Sequence, residues 1–229
     1  MVLLLPMVIL TMIFNVLEST ANDKSIDDLV EKFEEQHEEL LNKINPTESD
    51  LEFIDFFEGL HQEGKEELAI AAKRFAEEFT TIVKENNTVE LNTIFEEEVD
   101  SEGVGYFGND YSPLADDLTP LAGGTERVDH NYAYTYAGLR MTHLRVSVTV
   151  DYWQNDILAT RNARHIVVNN YNPFLTINAS GDTYHTVSVS TGVASGYFSI
   201  WFEGLGSSVT TELRVNAHNG NVTHRGWFQ

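Results

Sequence analysis

The chain changes character once, and sharply. Residues 22–102 carry 25 acidic and seven basic residues, a net charge of −18, whereas residues 130–229 carry five acids and six arginines, a net of +1. No lysine follows Lys84, and six of the eight histidines lie in the second stretch. Two compositions this different imply two structural units, an acidic one over 22–102 and a near-neutral one over 125–229. The join is expected at 103–124, where Gly103, Gly105, Gly108, Pro113, Pro120, Gly123 and Gly124 cluster. The full length of 229 residues suits one large domain or two modest ones.

Ahead of both units runs MVLLLPMVILTMIFNVL, with no charge before Glu18 and only Pro6, Thr11 and Asn15 interrupting the apolar run. It is short for a membrane span, and Pro6 weakens a helix there. Ser19 and Ala21 place small residues three and one before a cut after Ala21, so residues 1–21 read as a signal peptide and the protein as secreted or displayed at the cell surface. The expected basic residue at the start of such a signal is missing. The absence of cysteine excludes disulfides, thiolate metal sites and cysteine nucleophiles. A net charge of −22 and a pI near 4.5 argue against a nucleic-acid partner, which needs Lys and Arg to neutralise phosphate.

The acidic unit reads as helices. Ser25 and Asp28 resemble a capping box, and Ile26, Val30, Phe33, His37, Leu40 and Ile44 then recur at helical spacing until Asn45-Pro46 ends the run. Thr47 with Asp50 opens a second helix bearing Phe53, Phe56, Phe57 and Leu60. A third is expected after Gly64, with Leu68, Ala72, Phe75, Phe79 and Ile82, ending near Asn86-Asn87. A shorter fourth piece would use Val89, Leu91, Ile94, Phe95 and Val99. Short connections make these an antiparallel bundle whose Glu-rich outside is a solvated face or, on a sharper reading, a protein-partner surface.

The second unit reads as strands. Leu144, Val146, Val148, Val150 and Tyr152 alternate with polar residues, while Leu139 and Met141 sit in the opposite phase, so a bulge is expected near His143. Further strands are expected at 164–171, 174–179, 183–190, 197–203, 209–217 and 221–228. Many short strands divided by turns predict an antiparallel β-sandwich or jelly-roll, giving an α+β protein overall. Asn219-Gly220 suits a two-residue type I′ turn, which would set Ala217 opposite Val222, Val215 opposite His224 and Arg214 opposite Arg225. Two opposed arginines need a negative neighbour, and Glu212 or a bound anion could supply it.

Motifs for chemistry are weak. Gly59 to Lys65 matches most of a P-loop but meets Glu66 where Ser or Thr should bind magnesium, and no strand precedes it. There is no G-x-S-x-G elbow, and His37-Glu38-Glu39 lacks a second histidine for zinc. His218 and His224 look paired along the chain but fall on opposite faces of the expected hairpin. A glycoside-hydrolase carboxylate pair would have to come from Asp151, Glu203 and Glu212. Asp110, Asp116 and Asp117 miss calcium-loop spacing. No cofactor or metal site is expected. Asn86, Asn178 and Asn221 head N-glycosylation triplets.

What stands out is a set of aromatics on the polar side of the strands. Strand phase puts Trp153, Tyr197, Trp201 and Trp227 opposite Val148, Phe198, Ile200 and Leu213, among Asn, Thr, Asp and Arg. Flat rings in polar company suit stacking on the apolar faces of sugars, though the same residues would be core if something covered them. The leading expectation is a non-enzymatic extracellular binding module, contacting a glycan, cell-envelope polymer or protein through Trp153, Tyr197, Trp201, Arg214, Arg225 and Trp227. The alternatives are a membrane-acting toxin-like effector with the helices as pro-segment, its membrane stem at 183–202, and a secreted hydrolase.

Overall fold

The capping signal at Thr47 acts as its chemistry requires. The Thr47 hydroxyl accepts the N–H of Asp50 at 3.2 Å, and the Asp50 carboxylate accepts the N–H of Thr47 at 2.6 Å. A helix therefore starts at the next residue. This computed structural model describes residues 26–87, 106–109, 123–180, 183–188 and 191–229. The expected signal segment at 1–21, the fourth helical piece at 89–99 and most of 103–124 lie outside the described residues.

Three helices come first: α1 (Ile26–Leu41), α2 (Glu48–Gly59) and α3 (Gln62–Lys84). α1 is shorter than its apolar spacing suggested. It stops at Leu41, and Ile44 is left 93% exposed in the turn before Pro46. α3 begins at Gln62, so Gly64 lies inside its first turn and does not precede it; His61 is the N-cap residue. Gly59 closes α2, so the Gly59-to-Lys65 run has no strand and cradles no phosphate-binding loop. The helices meet through Phe33, whose ring lies 6.5 Å from Phe53 and 6.1 Å from Phe57.

The strands are β1 (Tyr106–Asn109), β2 (Gly124–Tyr136), β3 (Leu139–Trp153), β4 (Asp156–Asn170), β5 (Thr176–Ala179), β6 (Tyr184–Ser188), β7 (Thr191–Phe202), β8 (Leu205–His218) and β9 (Asn221–Phe228). One sheet has the order β1-β2-β3-β4, the other β5-β7-β8-β9 with β6 also on β7, and every pairing is antiparallel. Several strands are longer than their alternation alone indicated. β4 starts at Asp156 and β7 at Thr191, because pairing with β3 and β8 extends them through residues of weak strand pattern. The register shift expected near His143 occurs between His143 and Leu144 in the β3–β4 pairing. The last hairpin has the expected register, Ala217 with Val222 through Arg214 with Arg225. Asn219 (φ 52°) and Gly220 (φ 79°) supply the two positive φ angles a type I′ turn needs.

The sheets face each other across a shared core. Val146, Val148, Val150, Phe198, Ile200, Leu213 and Val215 are wholly buried on the inner faces, and Tyr132 of β2 meets Phe228 of β9 edge-on at 4.8 Å. Gly196 lets β7 approach β4 closely, since a Cβ there would lie 2.6 Å from His165 Cβ.

The helices seal one end of these layers. Phe75 of α3 stacks on Tyr134 with ring centres 3.9 Å apart and planes 6° from parallel, and Phe53 stacks on Tyr171 at 4.7 Å. The segment after β4 is held by all three helices. Gln36 of α1 donates to the Asn170 carbonyl (3.1 Å), Tyr171 donates to Asp50 of α2 (3.1 Å), and Asn172 donates to the Ala72 carbonyl of α3 (2.9 Å). Helices and sheets thus share one continuous apolar core. At the far end the β3–β4 and β8–β9 turns touch, Gly220 donating to the Gln154 carbonyl at 2.8 Å.

Candidate functional site

Period-two geometry sends Tyr197, Ser199 and Trp201 to one face of β7 and Phe198 and Ile200 to the other. The second set is wholly buried, while Tyr197 is 41% and Trp201 49% exposed. Trp201 stands opposite Gly206 of β8. A Cβ on Gly206 would lie 2.7, 2.8 and 2.9 Å from three atoms of the indole six-membered ring. Near-equal distances mean that the ring lies flat over the glycine. One indole face therefore rests on backbone, and the other is presented outward. Tyr197 projects four residues away on the same strand face, about 13 Å distant at strand rise. Thr176 and Asn178 of β5 and Ser208 and Thr210 of β8 flank the row, being paired with Trp201, Ser199, Ser199 and Tyr197 in turn.

Beyond Trp201 this face runs into a cleft of about 510 Å³ between the sheet and the helices, lined by Leu29, Lys32, Lys73, Pro173, Phe174, Thr176, Trp201, Glu203 and Gly204. Lys32 of α1 sits over the Phe174 ring, 5.6 Å from its centre, and Lys73 of α3 reaches Glu77 at 3.6 Å. A second hollow of about 320 Å³ shares Lys32, Pro173 and Thr176, and continues along α1 past Glu35, Gln36, Glu39, Asn170 and Asn172. Gln36 Oε1 is buried there with no hydrogen-bond partner. The two hollows adjoin along Lys32, Pro173 and Thr176, the first aromatic and cationic, the second amide-rich and acidic.

The six expected residues do not meet. Trp201 and Tyr197 share the row just described. Trp153 is 50% exposed but belongs to the other sheet, at the end away from the helices. Arg214 of β8 forms a separate patch with Arg225 and Trp227 of β9, near the other end of β8 from Gly206. There the Arg214 guanidinium covers the Trp227 ring at 4.9 Å and donates to Glu212 at 2.9 Å. Glu212 is thus the negative neighbour that the opposed arginines need, and it also accepts a hydrogen bond from Gln229. Cation and indole are each other's partner, so the ring face under Arg214 is taken. Lys32, Lys73, Phe174 and Gln36 were missed. The lysines sit on helices whose charged residues read as solvated, and no local signal shows that their tips reach the end of a sheet.

Among the expected acid candidates, Asp151 lies on the outer face of the first sheet, held by Arg161 at 2.6 and 2.7 Å, whereas Glu212 faces outward from the second. Stacked sheets lie about 10 Å apart, and these two acids point away from each other. They cannot flank one glycosidic bond, which needs carboxylates about 5–9.5 Å apart. Two histidines 94 residues apart in the chain do converge. His130 of β2 and His224 of β9 meet edge-to-face between the sheets with ring centres at 5.6 Å. Burial, and then the nearby His224, lower His130 to a pKa of about 4; burial also lowers His224, with Asp129 opposing. His165 instead bonds Thr183 (2.7 Å) and the Ser180 carbonyl (3.0 Å), and His143 bonds Asn131 (2.8 Å). Among the described residues no group of three or more His, Asp or Glu could hold a metal ion. No helix among them is long and apolar enough to cross a membrane.

No family model matches the chain, and no curated protein does. A solved structure of a hypothetical protein from Listeria monocytogenes EGD-e is similar at 18% identity, over 52% of this chain and 78% of that one, with a TM-score of 0.27.

Proposed function

We propose that this chain is an extracellular carbohydrate-binding module that acts by binding and not by catalysis. In this reading the paired sheets form a β-sandwich, the helical bundle seals one end of it, and residues 1–21 direct export. The observation that carries the proposal is the Trp201 indole, laid flat on Gly206 with its other face outward and opening onto a polar groove. Pyranose rings present C–H groups on their faces and hydroxyls around their rims. A flat ring bordered by Thr176, Asn178, Ser199 and Ser208 offers a counterpart to each. A free aromatic surface for protein docking would be expected to be broader and less polar at its edges.

The test is co-sedimentation of the full chain with insoluble polysaccharides and cell-wall preparations. The isolated strand region is unsuitable, because the helices bury part of its core. Trp201→Ala should abolish retention on the bound polymer, and Trp153→Ala, on the opposite sheet, should leave it unchanged. Failure of the wild-type chain to bind any polymer, or equal retention of both variants, would overturn the proposal.

A further inference from the structure

Among the described residues the helical half holds six cations, and three of them have a carboxylate in reach. Lys43 pairs with Asp50 at 2.6 Å, Lys65 with Glu34 at 3.3 Å and Lys73 with Glu77 at 3.6 Å. Lys32 is one of the others: among the described residues no carboxylate lies within 4 Å of its ammonium, which sits over the Phe174 ring at the cleft wall. A half-buried lysine with Asp28 four residues before it and Glu35 three residues after it on one helix is expected to lean toward one of them. Packing on Phe174 instead keeps this charge at the wall of the cleft that contains Trp201. Lys73 lines the same cleft from the opposite helix, and its pairing with Glu77 is partly exposed, of the kind worth little and easily exchanged. Glu203 is the acid on that lining and Glu77 the acid beside Lys73, so among the described residues Lys32 is the ammonium at the aromatic end of the groove with no acid partner.

Resting on the carbohydrate reading above, we infer that the sugar stacked on Trp201 is acidic, its carboxylate held between Lys32 and Lys73. A uronic-acid unit meets the chemistry of the site. Its ring faces stack, its hydroxyls reach Thr176 and Glu203, and its carboxylate takes the two ammonium groups as charge-assisted donors. The protein's overall negative charge does not forbid this. At 0.1 M salt, charges beyond about 10 Å are largely screened, so the ligand responds to the cleft and not to the outer helical faces. The acidic, amide-lined end along α1 would then repel a second adjacent carboxylate and favour a neutral or amino-bearing neighbour in the polymer.

The test uses the full chain in 0.1 M salt against polygalacturonate, alginate and hyaluronate, each beside its carboxyl-esterified form, with a panel of neutral polysaccharides. Variants are Lys32→Gln, Lys73→Gln and Trp201→Ala, each checked for an unchanged melting temperature. The expected result is at least tenfold tighter binding of one acidic polymer than of its ester. Each lysine variant should lose three- to tenfold on the acid and nothing on the ester. Equal binding of acid and ester, or wild-type affinity in both lysine variants while Trp201→Ala loses binding, overturns the acidic assignment and leaves the carbohydrate reading standing. No binding of any acidic, esterified or neutral polymer overturns both.

Discussion

Replacing Gly226 with alanine tests whether the two sheets are seated through His130. Gly226 is inward-facing on β9 and is not among the positive-φ glycines, so alanine meets no backbone objection. The obstacle is the imidazole. A Cβ at 226 would lie 2.5 Å from both Cγ and Nε2 of His130, and closer still to Cδ2. Ordinary contact needs about an ångström more, so ring or strand must shift. The ring has little freedom, being 3% exposed and bordered by Tyr132 at 4.8 Å and His224 at 5.6 Å. Overpacking of this kind costs about 1–3 kcal/mol, and the confinement of the ring argues for the upper end, about 3 kcal/mol. In a chain of this size that lowers the melting temperature by roughly 6–12 °C. The same change in a His130→Ala background should cost less than about 1 kcal/mol, a coupling of about 2 kcal/mol. Urea unfolding of wild type, both singles and the double gives the cycle. A cost for Gly226→Ala below about 0.5 kcal/mol, or the same cost in both backgrounds, would refute the packing argument.

Three further outcomes follow from the same core. Because burial holds His130 near pKa 4, well below the usual 6.5, the unfolded chain binds more protons between those values. Stability is therefore intact above pH 6.5 and lost as pH falls toward 4, by up to about 3 kcal/mol, and His130→Asn should flatten that slope in urea melts from pH 7.5 to 4.5; an unchanged slope would remove the histidine from the account. Phe75→Ala deletes the ring stacked on Tyr134 at 3.9 Å and should cost about 3–5 kcal/mol. With one shared core, thermal melts of wild type should show a single transition, and two separate ones would contradict it.

Much of this molecule is legible residue by residue, and the legible parts share a cause. The Thr47–Asp50 cap, the Asn219-Gly220 turn and the register from Ala217–Val222 to Arg214–Arg225 depend on atoms a few bonds apart along the chain. The inward phase of Val146, Val148 and Val150 follows from the strand period. Sequence likewise set Trp201 and Trp227 on outward faces, because inward and outward alternate without reference to the rest of the fold. What covers an outward residue is a different matter. Arg214 lies over Trp227 and occupies its face, while Gly206 beneath Trp201 leaves its outer face open, and both neighbours come from an adjacent strand. Lys32 joins Trp201 only because Phe33, Phe53 and Phe75 bring the helices onto the sheet end through Phe174, Tyr171 and Tyr134. The meeting of His130 and His224, 94 residues apart, likewise waits on the two sheets closing. Local geometry determined the elements, their caps and their faces; contacts between residues remote in sequence decided which faces stay open, because burial belongs to the assembled layers and to no single strand or helix.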